Sequence, residues 1–482
     1  MKYVAGIDFG TYQSKVCIHN IEKKSFEFLF FEESNSVFLP STVSVVNDTP
    51  IYGVNHEESK GHFYDYFKMA SAEDIEFHKQ TFDSASEAPK LYNEVYSTSD
   101  LKPEFLSIIY LCNLIFLIED KINRLQIYRE KGRFFGGLIG GLVRNKNNEE
   151  AEIIFNIGMP TEWTASIQIE REKKFRSILL LARELHDSFE SFKDFKIASL
   201  NSLLKSVRKV YSSIKELNFT EVKELMESKM LGVRAENAAG ISALVFSGQL
   251  QPATYSAIDI GGGSSDISFF TVTRNKKIKY IASESYLMAS NNIFESYRIN
   301  SKSDKTFTEI QSQFKSLVTD NRDLISDEVS ALSEINKSLT SLHKKLFVKR
   351  VKGFHPKMLP SVKNQKIIIY GGGSLFPIIN EGEMVIFSNG NFSSLNIEVS
   401  KMYKSIISNF NFSALKINNL NEVQNSMNIL FVALGLSSFI HSDNDTWFDD
   451  SDYNPLDNGS RKTPDLIAHP FNQDCYIINP LK

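Results

Sequence analysis

The sequence has few cysteines and no regular cysteine pattern, which excludes a disulfide scaffold and a cysteine-based zinc site. Its 482 residues include only Cys17, Cys112 and Cys475, which lie far apart and form no CxxC pair. The nine histidines likewise show no metal-ligand spacing. Such cysteine usage is typical of a reducing compartment, in which thiols serve as small packing residues.

A long hydrophobic run is also lacking. The most apolar stretch, Ile108 to Ile118, is shorter than the roughly 20 residues that cross a bilayer, and charged residues follow it at once. It therefore predicts a buried helix. The opening residues, MKYVAGIDFGTYQSK, reach glycines and polar side chains too early for a signal peptide. These two absences predict a cytoplasmic protein that has no membrane partner.

No charge of one sign dominates the chain. The formal net charge is -4 and the isoelectric point is near 6.2, which argues against a protein that binds nucleic acid by bulk electrostatics. Hydrophobic residues make up 42% of the chain, as in an ordinary folded protein. A globular protein whose partners are small molecules or other proteins is therefore expected.

The chain is longer than a single hydrophobic core supports, so two lobes are expected. Each half opens with an apolar strand that ends in Asp-x-Gly and runs into a second strand. This pattern predicts lobe I over residues 1–250, which includes a largely helical stretch at about 187–232. It predicts lobe II over 251–441, with a helical subdomain at about 295–360. Residues 442–482 are polar and acidic, which predicts a loosely structured tail.

Three glycine-rich turns follow apolar strands, at residues 6–11, 259–264 and 371–374. Such turns let backbone N–H groups approach phosphate oxygens without interference from a Cβ atom. In the first two, Asp8 and Asp259 stand at equivalent positions, where a carboxylate can hold hydrated Mg²⁺. A tight hairpin would explain one such turn, but two with aspartate at the same place, plus a third turn, indicate a nucleotide site. None matches the P-loop or the dinucleotide fingerprint.

These segments resemble the nucleotide-binding domain of the seventy-kilodalton heat-shock chaperones, the DnaK family, within the actin and sugar-kinase superfamily. GIDFGTYQSKVCI looks like the first phosphate motif, AIDIGGGSSDISFF the second, and IIIYGGGSLFP the adenosine motif. YFKMAS (66–71), RAENAAGISALVF (234–246) and ILFVALGLSSF (429–439) resemble the catalytic-lysine segment and the two connecting helices. The resemblance implies an α/β, two-lobed actin-like (ribonuclease H-like) ATPase fold with a nucleotide cleft between the lobes.

The resemblance also implies site residues, with ATP or ADP and Mg²⁺ as cofactors. The implied catalytic residues are Lys68, which would contact the γ-phosphate, together with Asp259, Glu236 and Thr11. The residues implied to hold Mg²⁺ through bound water are Asp8, Asp259 and Glu236. The residues implied to bind the nucleotide are Asp8, Gly10, Thr11, Tyr12, Gly261, Gly262, Gly263, Ser264, Asp266, Gly371, Gly372 and Gly373.

The sequence departs from the chaperone pattern at several places. Tyr12 stands where the chaperones have a small hydroxyl residue, which predicts a tighter or partly occluded first turn. Leu375 replaces the arginine that stacks on adenine. The helical stretch at about 187–232 is longer than the family's corresponding connection, which predicts a subdomain insertion. The segment after residue 441 is too short and polar for a peptide-binding β-sandwich. We therefore expect a slow ATPase that acts as a conformational switch and is read by a protein partner or client. An actin-like filament, a metabolite kinase and a module that binds ATP without turnover stay open as alternatives.

Overall fold

A computed structural model describes most of the two predicted lobes. The described residues are 2–55, 58–72, 101–135, 151–160, 165–214, 217–248, 250–274, 278–286, 288–320, 322–347, 366–379, 415–439 and short pieces at 383–384, 391–392, 397–398, 402–406 and 412. The predicted tail, 442–482, lies outside them. Within this part of the chain, helices and strands are arranged around two six-stranded sheets.

The first sheet begins with an antiparallel meander and continues with parallel strands. Its first strands are β1 (Lys2–Phe9), β2 (Gln13–Asn20), β3 (Ser25–Phe28) and the short β4 (Leu39–Pro40), followed later by β8 (Glu152–Met159) and β9 (Leu231–Ala235). The order is β3-β2-β1-β8-β9, with β4 beside β2. Strands β1, β2 and β3 pair antiparallel, whereas β8 runs parallel to β1 and β9 parallel to β8. A small sheet of β5 (Val43–Val46), β6 (Thr49–Tyr52) and β7 (His62–Tyr64) lies between the β4 and β8 segments in sequence.

The second sheet repeats this order. Its strands are β10 (Ala253–Ile260), β11 (Ser265–Val272), β12 (Ile278–Tyr286), β13 (Lys366–Tyr370), β14 (Glu383–Met384) and β17 (Met402–Ile406). The order is β12-β11-β10-β13-β17-β14, with β10, β11 and β12 antiparallel and β13 and β17 parallel to β10. β15 (Asn391–Phe392) and β16 (Ile397–Glu398) form a separate pair. Two sheets of the same ribonuclease H-like order are the actin-like fold, so the predicted fold class is confirmed.

Helices cover the first sheet and form much of the core. They are α1 (Phe67–Ala72), α2 (Pro103–Phe135), α3 (Ala165–Asp187), α4 (Phe192–Ile197), α5 (Leu200–Ile214) and α6 (Phe219–Ser228). The apolar stretch 108–118 lies within α2, where Tyr110, Leu111 and Cys112 are fully buried against the sheet. The prediction of a buried helix is confirmed. In the described part of the chain, no helix combines the length and apolar character that a membrane crossing requires.

The remaining helices are α7 (Glu236–Phe246), α8 (Ser290–Ser301), α9 (Phe307–Thr319), α10 (Ser326–Leu346), α11 (Leu420–Val423) and α12 (Met427–Leu436). Helices α8 to α10 pack on the second sheet through residues such as Ile293, Phe314 and Ile335. Helices α7 and α12 share a core that includes residues of both sheets, such as Phe26 and Ile368. The two helices therefore join the lobes.

Glycine allows α12 to approach both α7 and the first sheet closely. A Cβ atom at Gly435 would lie 1.8 Å from the carbonyl oxygen of Ala239, and one at Gly6 would lie 2.2 Å from the amide nitrogen of Ser437. Both clashes involve backbone atoms, which cannot move aside by changing a rotamer. Asn156 fixes the end of α12 from the first sheet, because its side-chain amide donates to the carbonyls of Leu436 and Phe439.

The substitution Gly435→Ala is therefore expected to destabilise the protein, although alanine favours helix. Overpacking costs about 1–3 kcal/mol or more, and the backbone clash places this site at the upper end, above the gain of about 1 kcal/mol in helix propensity. Urea unfolding would measure the loss. The exposed Asn425→Ala on the same segment is the control and should change stability by less than about 0.5 kcal/mol. Equal effects of the two changes would contradict the crossing as described.

Candidate functional site

The first hairpin places a carboxylate opposite a lysine. Asp8 and Lys15 are directly paired across β1 and β2, and Lys15 Nζ donates to Asp8 Oδ2 at 2.9 Å. Both residues are buried, so the ion pair is only weakly screened. In the intervening turn, a Cβ atom at Gly10 would lie 2.3 Å from the carbonyl oxygen of Gln13. The Ser41 hydroxyl donates to the Gly10 carbonyl at 2.7 Å and fixes the turn.

The second hairpin places two carboxylates at the corresponding positions. Asp259 pairs with Asp266 across β10 and β11, and the hydroxyl of Ser285 donates to Asp266 Oδ1. The turn is tight, since the amide of Gly261 donates to the carbonyl of Ser264 at 2.9 Å. The carbonyls of Gly261 and Gly262 accept from the first amides of α8, those of Ser290 and Asn291. The turn is thus fixed on both sides.

The third glycine turn lies against Asp259. Gly371 has a φ of +84°, and a Cβ atom there would lie 2.3 Å from Asp259 Oδ1. Its amide donates to the Asn428 carbonyl at 2.9 Å, and the Asn428 side chain donates to the Ser374 hydroxyl at 3.2 Å. Helix α12 therefore holds this turn. A Cβ atom at Gly373 would clash with Ile260, whereas one at Gly372 would meet nothing within 4 Å.

Lys68 and Glu236 form an ion pair in the same region. Lys68 lies on α1, Glu236 is the first residue of α7, and Lys68 Nζ donates to Glu236 Oε1. Their side chains are only 4% and 13% exposed, so neither is a solvated surface charge. Gly158, at the end of β8, makes room for Glu236, whose Cγ would lie 2.7 Å from a Cβ at that position. The pair connects α1 to the helix that joins the lobes.

The charged groups of the two hairpins lie in one cluster, in which Asp8 and Asp266 are buried and Glu236 and Asp259 are partly buried. Burial raises the pKa of Glu236; Lys68 opposes this shift, and the nearby charge of Asp8 adds to it. Burial also raises the pKa of Asp259 well above its usual range. Asp266, Glu236 and Asp8 add to this second shift, and Lys15 opposes it. Asp8 and Asp259 therefore lie close enough across the two hairpins to repel each other.

The cluster carries an excess of negative charge that fits a cation. When all are ionised, the four carboxylates of Asp8, Glu236, Asp259 and Asp266 exceed the two amines of Lys15 and Lys68 by two charges. A divalent cation would relieve this repulsion. No three His, Cys, Asp or Glu side chains among the described residues are placed to ligate one ion directly. Mg²⁺ usually retains several of its waters, which is the form of binding that the sequence predicted here.

The structure brings most of the predicted site residues into this region. Asp8, Glu236, Asp259 and Asp266 form the cluster, Lys68 pairs with Glu236, and the three glycine turns lie at the ends of β1, β10 and β13. Thr11, Tyr12, Ser264 and Leu375 are partly buried in or beside these turns. How each of them would contact a nucleotide stays a prediction.

Two residues of the region were missed. Lys15 was not identified from the sequence as a site residue. Its position seven residues after Asp8, across a short turn, would have placed it opposite that aspartate. Asn428, which holds the third turn, is 57 residues after Gly371 in sequence. No local pattern connects the two residues.

The comparisons of sequence give no match, whereas the comparison with solved structures gives many. No protein-family profile matches the sequence, and no curated protein matches it. Among solved structures, the chain is similar to a 15-stranded ParM filament from Clostridium botulinum, with 13% identity and a TM-score of 0.39. The match covers 90% of this chain and 98% of that one. The fold assignment rests on the strand order of the two sheets.

Proposed function

We propose that this protein binds Mg²⁺–ATP between its two lobes and hydrolyses it slowly, as a conformational switch. The observation that supports this function is the convergence of the two acidic hairpins, Asp8 with Lys15 and Asp259 with Asp266, on one buried charge cluster. A cluster of this kind costs folding free energy, because like charges are brought together out of water. Such a cost is typical of a site that binds a charged ligand.

The proposed roles combine what the family resemblance implies with the position of each group. Asp8, Glu236 and Asp259 would hold water molecules of Mg²⁺, which supplies positive charge at the β- and γ-phosphates when bound. Lys15 and Lys68 would add their own charge at the phosphates, where negative charge shifts during transfer. Asp259 would orient the attacking water. The first two turns would donate backbone N–H groups to phosphates, and the third turn would support the nucleoside.

The chaperone-like form of this proposal is supported by Lys68, which the structure places beside Glu236 rather than in solvent. Sedimentation of the protein with and without ATP tests the alternative of an actin-like filament, since reversible pelleting with nucleotide would favour the filament. Phosphate release without an added acceptor would count against the alternative of a metabolite kinase. Binding without phosphate release would favour a module that only holds ATP.

The substitution Asp259→Asn tests the site through two effects of opposite sign. It removes a charge that burial and three neighbouring carboxylates disfavour, so the free energy of unfolding without nucleotide should rise by about 1 kcal/mol at pH 8. The same change should weaken Mg²⁺–ATP binding at least tenfold, because the acceptor for metal-bound water is lost.

Urea unfolding and isothermal titration calorimetry would measure these two quantities. The exposed Asp323→Asn is the matched control and should leave both unchanged. If wild-type protein binds no Mg²⁺–ATP at millimolar concentration, the proposed function is wrong. If Asp259→Asn weakens binding and also destabilises the protein, the carboxylate is a structural group rather than a strained functional one.

A further inference from the structure

The two phosphate turns contact each other through the side chain of Tyr12. A Cβ atom at Gly262 would lie 2.3 Å from Cδ2 and 2.4 Å from Cε2 of Tyr12, so the ring is in van der Waals contact with the backbone of the second turn. Tyr12 follows β1, in the first sheet, and Gly262 follows β10, in the second. The ring therefore spans the space between the two sheets at the turns proposed to bind phosphate.

Two residues from the same lobe as Tyr12 support this contact. Tyr66 packs edge-to-face against Tyr12, with ring centroids 5.3 Å apart, and Met69 Cγ would lie 3.2 Å from a Cβ at Gly263. Tyr66 has a φ of +55°, a left-handed conformation that is strained for an aromatic residue and that places it directly before α1. Tyr12 and Met69 thus contact the second turn, and Tyr66 packs against the Tyr12 ring.

We propose that Tyr12 is a steric gate at the phosphate end of the cleft, an inference that rests on the proposed function and adds a control of access to it. A phosphate oxygen bound by a backbone N–H lies about 2.9 Å from the nitrogen. Ring carbons of Tyr12 already occupy the space immediately beside Gly262. The second turn can therefore receive a triphosphate only after the ring rotates away or the lobes separate.

The gate depends on the ring rather than on its hydroxyl group. The Tyr66 hydroxyl donates to that of Tyr12 at 3.4 Å, which is at the long end for such a bond, whereas the ring contacts the backbone of Gly262 closely. Phenylalanine at this position keeps the contact, and serine removes it. The two substitutions therefore separate ring packing from hydrogen bonding.

Two measurements test the gate in full-length protein. The first uses no nucleotide: spin labels at Lys205→Cys and Lys337→Cys, both exposed and on different lobes, report the distance between lobes in a Cys475→Ser background. Tyr12→Ser should broaden this distance distribution and shift it to longer values, and Tyr12→Phe should not.

The second measurement is stopped-flow association of a fluorescent ATP analogue with Mg²⁺. Tyr12→Ser should increase the association rate about tenfold, because losing an aromatic contact at the upper end of the usual strength changes a rate by about this factor.

Tyr211→Ser, at an exposed tyrosine of α5, is the matched control and should change neither measurement. The gate is refuted if Tyr12→Ser leaves both the distance distribution and the association rate as in wild type, or if Tyr12→Phe changes them as much as serine does. Should the wild type bind no nucleotide, the proposed function fails by itself. The label distances then still decide whether Tyr12 holds the two lobes together.

Discussion

Replacing Lys68 by methionine is expected to slow ATP hydrolysis about 10²–10³-fold, the usual cost of removing one group that stabilises transition-state charge. The lysine is buried and held by Glu236 beside the two acidic hairpins, so its charge acts where water screens little. Methionine fills a similar volume without charge. Affinity for ADP should change by less than about threefold, because ADP lacks the γ-phosphate with which Lys68 is proposed to interact.

Single-turnover phosphate release and calorimetric ADP titration would separate these two effects. Lys205→Met, at an exposed lysine of α5, is the matched control and should leave both unchanged. Glu236→Gln combined with Lys68→Met should cost much less than the sum of the single changes, because the two side chains act as one pair. Full activity of Lys68→Met would show that this lysine takes no part in hydrolysis.

Acidification is expected to destabilise the protein strongly through His343. This histidine of α10 is buried between the second sheet and its helices, next to Phe269, and contacts the Ser256 hydroxyl at 3.0 Å. Burial lowers the pKa of His343 to about 3, from an ordinary value of 6.5. Between these pH values the unfolded chain binds a proton that the folded chain does not, so stability falls as the pH falls below 6.5.

From pH 6.5 to 5 this single group should remove about 1.6 kcal/mol of unfolding free energy. Urea unfolding as a function of pH, on wild type and His343→Gln, isolates the effect, since other titrating groups act equally in both proteins. The variant should be less stable at pH 8 but lose about 1.6 kcal/mol less stability than wild type between pH 6.5 and 5. His62→Gln, at an exposed histidine, should follow wild type. Parallel pH profiles for wild type and His343→Gln would contradict the assignment.

The sequence allowed the local parts of the site to be predicted. Asp8 and Asp259 stand out because each ends an apolar strand and precedes a glycine, a pattern that also predicts the hairpin. The buried helix α2 follows from its apolar run, and the ribonuclease H-like order follows from the repeated hairpin together with the family resemblance. The hairpins and the buried helix depend on neighbours in the chain, so spacing and composition predict them, whereas the strand order was implied by the resemblance.

The contacts between distant segments could not be predicted in the same way. Lys68 and Glu236 are 168 residues apart, and their pairing depends on how α1 packs beside α7. The Tyr12 contact with Gly262 depends on the relative position of the two sheets, although the replacement of a small residue by tyrosine did indicate a tighter turn. Such contacts are set by tertiary packing, for which one sequence contains no local signal.

Cleavage of the backbone by bound iron would test most directly whether the two acidic hairpins hold one metal–nucleotide complex. Fe²⁺ in place of Mg²⁺, with ATP, ascorbate and peroxide, generates hydroxyl radicals that cut the chain near the ion. The account predicts cuts close to both Asp8 and Asp259, present only when ATP and Fe²⁺ are both added and suppressed by excess Mg²⁺. Cuts at only one of the two hairpins, or at neither, would contradict it.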